Sequence, residues 1–427
     1  MHAGKLFSLA VVLALAPFAF GQVNFATAVD VAAGDGTQTF EGAAIAAGDF
    51  DEDGDIDLVV TSTNLDLVGD PVVILANNGN GGFTIADSID LRRRPAAAVA
   101  ADLNDDGHLD LAIVLLADDE VAVLLGDGTG AFGAEERYLT GNGPVHITAG
   151  DVDGQSGLDL VVANEQADTI TVFFNDGDAN ATFTMALDVV VSFQDGPSRS
   201  EPNGTAIGDF DGDGDNDIAV SLAARNQVDV LFNDGTGDFG AYVLYDVGGD
   251  PEAIAAALLN DDAYVDLAVA NRTDDTINVL LNNGAGAFTV LAATAAGNAP
   301  TDLVVADMDD DNMLDLVTAN REGDNVSVLL GDGDGTFDAP DNFNVGGGPV
   351  GLVVADLDDD DLLDIATINQ ESSLTDQDEV SILLATEEDE PGTDGSTVLP
   401  RCGNFGGLPF FMTVLGLVAM KRRVGRP

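Results

Sequence analysis

Basic residues are scarce in this sequence. Fourteen Lys and Arg stand against 76 Asp and Glu among 427 residues, for a formal net charge of −62. Lys5 and Lys421 are the only lysines, so between them nine arginines, eight of them from Arg92 to Arg321 and the ninth Arg401, oppose the carboxylates. That excludes nucleic acid and anionic lipid as partners of this region, since both are bound through clustered cations. An acidity so far beyond the needs of solubility calls for bound metal cations or a saline medium to offset it. Cysteine is nearly absent: Cys402 stands alone, so no internal disulfide can form. Tryptophan is missing and tyrosine is limited to Tyr138, Tyr242, Tyr245 and Tyr264, which removes the stacking platforms a strong lectin would use. His108 and His146 are the only histidines beyond His2, and no SxxK, GxSxG or HExxH pattern occurs.

What is present begins with a leader. Residues 1–21 carry Lys5, an apolar run from Leu6 to Ala16, and small residues at Ala19 and Gly21. The run is too short to cross a bilayer, so the segment reads as a signal peptide cut before Gln22. Export would place the chain in oxidising, calcium-rich surroundings.

A carboxylate-rich segment then recurs seven times: DFDEDGDID at Asp49, DLNDDGHLD at Asp102, DVDGQSGLD at Asp151, DFDGDGDND at Asp209, LLNDDAYVD at Leu258, DMDDDNMLD at Asp307 and DLDDDDLLD at Asp356. The intervals are 53, 49, 58, 49, 49 and 49 residues. A second signature follows the first six, as in VLLGDGTGAF ending at Phe132 and VLFNDGTGDF ending at Phe239. It is an apolar strand, a tight turn with the positive φ of a hairpin, and a new strand opened by Phe. Short apolar runs bounded by Gly, Asn and Asp, with no helical period between them, predict four strands per unit. Seven such units predict an all-β fold, a seven-bladed β-propeller with four-stranded blades spanning residues 22–385. The seventh unit lacks its outer strand after Ala385, while NFATAVDV (24–31) is an outer strand without the three before it. The two pieces complement each other, so residues 24–31 are expected to pair with 380–385 and close the ring.

The paired motifs, such as DFDGDGDNDIAV with VLFNDGTGDFG, resemble the FG-GAP and VCBS repeat family, whose propellers include the integrin α-subunit head. The resemblance covers residues 24–385 and implies a propeller with calcium sites. It implies little about ligand, because such propellers serve in adhesion, lectins, lyase scaffolds and assembly factors.

The repeated carboxylates have a chemistry of their own. A hard cation the size of calcium takes six to eight oxygens, which one short loop can offer from alternate side chains plus a backbone carbonyl. Counting from the first residue of each segment, positions 1, 3, 5 and 9 give Asp49, Asp51, Asp53 and Asp57 in loop 1, and Asp102, Asn104, Asp106 and Asp110 in loop 2. Loop 3 offers Asp151, Asp153 and Asp159, with Gln155 in fifth place. Loop 4 offers Asp209, Asp211, Asp213 and Asp217; loop 6 Asp307, Asp309, Asp311 and Asp315; loop 7 Asp356, Asp358, Asp360 and Asp364. Position 7 supplies a carbonyl from Asp55, His108, Asp215, Met313 or Leu362. Gly54, Gly107 and Gly214 hold the sharp turn at position 6, a role Asn312 and Asp361 can fill because both visit left-handed geometry. Position 12, Glu in a helix-flanked calcium hand, is here Val60, Ile113, Val162, Val220, Val269, Thr318 or Thr367, so these loops join strands. Five strong calcium sites are expected, a weaker one in loop 3, and none in loop 5, where Leu258 and Ala263 leave only Asn260, Asp262 and Asp266.

Residues 386–401 read as an acidic flexible spacer. After it come Cys402, an apolar stretch from Leu408 to Met420, and the basic KRR at 421–423. This arrangement resembles the C-terminal sorting signals of exported bacterial proteins, with Cys402 as a candidate for processing or lipidation and the membrane touched only through residues 402–427. The arginines Arg225, Arg272 and Arg321 follow the second strand in three blades, where such residues more often pair with neighbouring carboxylates and otherwise line one face of the ring for a ligand. The cluster Arg92–Arg94 at the start of blade 2 is a second basic feature. The reading is a monomeric propeller, exported and held at a bacterial-type cell surface, that binds or scaffolds an extracellular protein or glycan and is not an enzyme. The alternative is a polysaccharide lyase or hydrolase on the same scaffold.

Overall fold

Seven repeats become seven antiparallel sheets. The computed structural model describes residues 23–33, 42–62, 71–91, 94–191, 199–370 and 380–386. The leader, Arg92, Arg93, most of the acidic spacer and the tail with Cys402 lie outside these residues. In blades 1 to 6 the strands lie in chain order, as in blade 3 with Pro144–Gly150, Asp159–Asn164, Thr169–Asn175 and Phe183–Val190. In blade 5 the outer strand is split, Phe288–Val290 and Thr294–Ala295 both pairing with Thr276–Asn282. Among the described residues the one helical piece is a single 3-10 turn at Ala223–Arg225.

The apolar runs sit where sheets face each other. Second strands such as Asp57–Ser62, Asp159–Asn164 and Asp364–Asn369 are buried along their whole length. Neither face alternates with polar residues because a neighbouring blade covers each. Seven apolar clusters form, each shared by two adjacent blades, and the one joining blades 7 and 1 contains Val60, Leu75, Val353 and Ile368. Innermost strands crowd the axis and are correspondingly rich in alanine, as in Pro95–Ala101 (PAAAVAA) and Pro251–Ala257 (PEAIAAA).

The chain's first strand closes the ring, as its sequence leads one to expect. Val29–Val31 pairs antiparallel with Val380–Leu383 in the register Val29 to Ile382, Asp30 to Ser381 and Val31 to Val380. The contact extends outward, with Ala26 N–H donating to the Leu384 carbonyl and Thr386 N–H to that of Asn24.

All seven innermost strands begin with a β-bulge, as between Pro144 and His146 or Pro300 and Asp302. A bulge re-aims side chains at the end of a strand. Here it does so at the face where these strands start, while the carboxylate loops lie at the other end of the same strands. The two faces of the ring are thus chemically distinct.

Candidate metal sites in the blade loops

Each carboxylate loop joins the first strand of a blade to its second and is shaped by its own side chains. Asp53 N–H donates to Asp51 Oδ1, and Asp55 N–H to Asp53 Oδ1. Loops 2, 4 and 5 repeat the pair, through His108 to Asp106, Asp215 to Asp213 and Tyr264 to Asp262. Such turns are the ordinary local chemistry of Asp and Asn. At position 6, Gly54, Gly107 and Gly214 have φ of 105°, 92° and 98°, while Asn312 and Asp361 both sit at 70°. Position 4 is left-handed too, at Glu52, Asp105, Asp310 and Asp359, which the sequence reading did not anticipate.

The curl brings acids together. Asp49, Asp51 and Asp53 in loop 1, Asp307, Asp309 and Asp311 in loop 6, and Asp356, Asp358 and Asp360 in loop 7 each place one carboxylate oxygen within 4.8 Å of the other two. Loop 4 does so with Asp209, Asp211 and Asp217, and loop 3 with Asp151, Asp153 and Asp159. Among the described residues loop 2 forms no such triad. Its third position is Asn104, whose amide donates to Asp106 Oδ2 at 3.0 Å and takes up one of the oxygens a cation would use. Loop 5, with Leu258 in first place and Asn260 in third, forms none either. Loop 3 thus gathers its three carboxylates as loops 1, 4, 6 and 7 do, although Gln155 stands in fifth place.

The position-9 aspartates have a second task. In every blade this side chain accepts two backbone N–H groups. Asp57 takes Phe50 and Asn77, Asp159 takes Val152 and Asn175, and Asp364 takes Leu357 and Ala385. Asp110, Asp217, Asp266 and Asp315 repeat the arrangement. One oxygen thus fixes the start of the loop and the other fixes the end of the third strand. Burial pushes these carboxyls up, to about 6 at Asp57, Asp110, Asp159 and Asp266 and about 7 at Asp217, Asp315 and Asp364. A further clamp comes from the next blade. Asn77, Asn175 and Asn282 each donate a side-chain N–H to the position-2 carbonyl of the preceding loop, at Leu357, Leu103 and Phe210. The sequence shows these asparagines only as turn formers.

Three clusters carry buried oxygens with no hydrogen-bond partner among the described residues: Asp49 Oδ1, Asp309 Oδ1 and Asp358 Oδ1. Burial and then the charge of Asp53 raise the Asp49 carboxyl; burial, then Asp311 and Asp307, raise that of Asp309 to about 6. An unpartnered acceptor held against like charges is costly unless a cation or proton compensates it. All-oxygen donors with no sulfur or imidazole in the clusters suit a hard cation such as Ca2+.

The remaining candidates fall elsewhere. His108 Nδ1 lies 2.6 Å from Glu52 Oε1, linking loops 2 and 1, and this bond raises its pKa. Arg272, Arg321 and Arg94 line the axial cavity on the opposite face, together with His146. Arg225 instead donates from Nε to Ser200 Oγ.

Comparison with known proteins agrees with this picture. The FG-GAP-like repeat family matches residues 49–113, 102–162 and 307–367, each running from the first residue of one carboxylate loop to position 12 of the next. No curated protein matches the sequence. Among solved structures, virginiamycin B lyase from Staphylococcus aureus is 12% identical over 85% of this chain and 99% of that one, with a TM-score of 0.54. The periplasmic gluconolactonase of Pseudomonas aeruginosa is 17% identical over 72% and 86%, at 0.53. A putative 6-phosphogluconolactonase from Bacteroides uniformis is 14% identical over 78% and 93%, at 0.52. Likeness at such identity speaks for the fold alone. The chain carries FG-GAP-like repeats built into a seven-bladed β-propeller.

Proposed function

We propose that this chain is a calcium-binding propeller, exported and held at the cell surface, that works as a binding or scaffold module for an extracellular protein or glycan. The observation that carries the calcium reading is the set of buried, unpartnered oxygens at Asp49, Asp309 and Asp358, each inside a triad of aspartates. Asp49, Asp51 and Asp53 would hold the ion in loop 1, and the corresponding triads would do so in loops 3, 4, 6 and 7. Bound there, calcium supplies positive charge to clusters that otherwise repel themselves, and so favours the folded ring. A cation that binds only the native state adds about 2.7 kcal/mol per site at a hundredfold excess over Kd. Thermal unfolding with calcium and with chelator is the test. A large upward shift with calcium supports the reading, and identical curves would refute it.

A binder is preferred to a catalyst on the state of the histidines. His146 Nδ1 accepts the Thr205 N–H, and burial lowers its pKa to about 4, away from the range of a general base near neutral pH. His108 is tied to Glu52. Glycan-array binding set beside a reducing-end release assay separates the two readings: release of new reducing ends would make the chain an enzyme. The abundance of calcium outside cells, and the repeats' resemblance to surface propellers, support the extracellular placement.

A further inference from the structure

The face opposite the carboxylate loops opens into an axial cavity of about 500 Å3 to which all seven innermost strands contribute. Its wall is built in layers. Among the described residues, the one before the innermost strand is left-handed in blades 2 to 7, as at Arg94, Glu201 and Asp250 with φ of 52°, 52° and 58°. Its carbonyl accepts the N–H of the residue that follows the second strand, as Arg94 does from Leu116, Asp250 from Arg272 and Gly348 from Gln370. Below this rim the bulges turn the second and third residues of each innermost strand toward the axis. In blades 1, 2 and 7 these are Ala43, Ala44, Ala96, Ala97, Val350 and Gly351. In blades 3 to 6 the same layers carry His146, Asn203, Glu252 and Asp302. One arc of the mouth is small and apolar, the other polar and charged.

Carboxylates outnumber arginines on this wall five to three. Arg272 meets Asp250 at 2.6 Å and Glu252 at 3.6 Å, and Asn203 Nδ2 donates to Glu252 Oε2 at 3.3 Å, leaving Glu252 Oε1 for a further donor. Asp302 is different. It lies deep in the molecule with part of its surface on the cavity, and its partners are two backbone N–H groups, Leu303 at 2.8 Å and Leu352 at 2.9 Å. Burial raises its pKa to about 6, and no neighbouring cation offsets that. Asp302 thus offers the cavity a carboxylate held only by backbone N–H groups. Among the described residues the mouth carboxylates form no triad within 4.8 Å, unlike the loop clusters, so they do not make a cage for a bare metal ion.

We infer that the axial mouth is a binding site for a small organic cation, an amine on an apolar stem. The ammonium would be received by Asp302 and Glu252, and the stem would lie on the alanine arc of blades 1 and 2. The site is separate from the calcium loops, since a seven-residue strand holds the two faces roughly 20 Å apart. Its test therefore stands whether or not those loops bind calcium.

The test is calorimetric titration of the full chain with hexylamine, and with hexanol, hexanoate and glucose as controls, at fixed calcium. A charge-assisted hydrogen bond to a desolvated carboxylate makes hexylamine bind roughly tenfold or more tighter than its neutral isostere hexanol. Glu252→Gln and Asp302→Asn each weaken hexylamine by a similar factor and leave hexanol unchanged. Glu252→Gln keeps the shape and an acceptor, so it serves should Asp302→Asn unfold, and the melting temperature of each variant checks the fold. Hexanol, hexanoate or glucose binding as tightly as hexylamine would overturn the inference. So would hexylamine binding that survives Glu252→Gln at full strength, or no heat of binding at about 10 mM hexylamine, beyond the range of a specific site.

Discussion

Asp266 Oδ1 accepts the backbone N–H of Asn282 at 2.7 Å, in a blade whose loop gathers no cluster of acids. Its other oxygen takes the Leu259 N–H at 3.1 Å. The same bracket recurs in every blade, so the position-9 aspartate does structural work that needs no metal. Asp266→Ala strands two buried donors and should cost about 1–3 kcal/mol for each one left unsatisfied. The loss should be equal in calcium and in chelator. A loss seen only with calcium would make Asp266 a ligand after all.

These bracket aspartates also set a pH dependence. In the unfolded chain they titrate near 3.9, and in the fold burial holds them at about 6 to 7. Between those values the folded state binds more protons than the unfolded one, so stability falls as pH rises from about 4 to about 7. The chelated chain should melt at a higher temperature at pH 4.5 than at pH 7.5, pH values chosen to bracket this window. Calcium binding, which needs the carboxylates ionised, should grow over the same interval. A chelated chain that gains stability across it would contradict the burial argument.

Much of this was legible in the sequence because the repeat states it seven times. Apolar runs of strand length, turn residues and phase-locked carboxylates give blade number, strand order and even the closing pair Val29–Val31 with Val380–Leu383. Less legible was whatever depends on a neighbouring blade. The donation from Asn282 to Phe210 spans 72 residues and leaves no local trace. The hydrogen bond from Asn104 to Asp106 within loop 2 is likewise invisible to a count of ligand-type residues. The axial mouth was hidden for another reason. Glu252 and Asp302 look like ordinary strand acids until the bulge beside each turns it toward the axis.

Loop 2 offers a direct check of what Asn104 does. Asn104→Asp removes the amide that occupies Asp106 Oδ2 and adds a carboxylate, at the cost of the amide's 3.4 Å contact with the Ala179 carbonyl. Calcium affinity in such loops rises with the number of charged ligands, so one site should tighten by about tenfold. Competition with a chromophoric chelator measures it. Unchanged affinity would mean that Asn104 already serves as a ligand through its carbonyl oxygen.

Ring closure is the last dependency, and it is the one on which the others rest. Val29–Val31 supplies the outer strand of blade 7, Ser381 Oγ donates to Asp30 Oδ1 at 2.8 Å, and Phe25 packs edge-on against Phe343 at 4.8 Å. Deleting residues 22–33 leaves Val380–Leu383 as an unpaired edge and uncovers the apolar cluster of blades 6 and 7, against which Val23, Phe25 and Ala28 pack. A loss of several kcal/mol should lower the melting temperature by roughly 10 °C or more in a chain of this size. The bare edge should also promote self-association that rises with concentration. Phe25→Ala, which spares the strand pairing, should give a smaller drop and no association. If the deletion leaves the melting temperature unchanged, the three strands of blade 7 suffice by themselves and the ring is held by its inner layers alone.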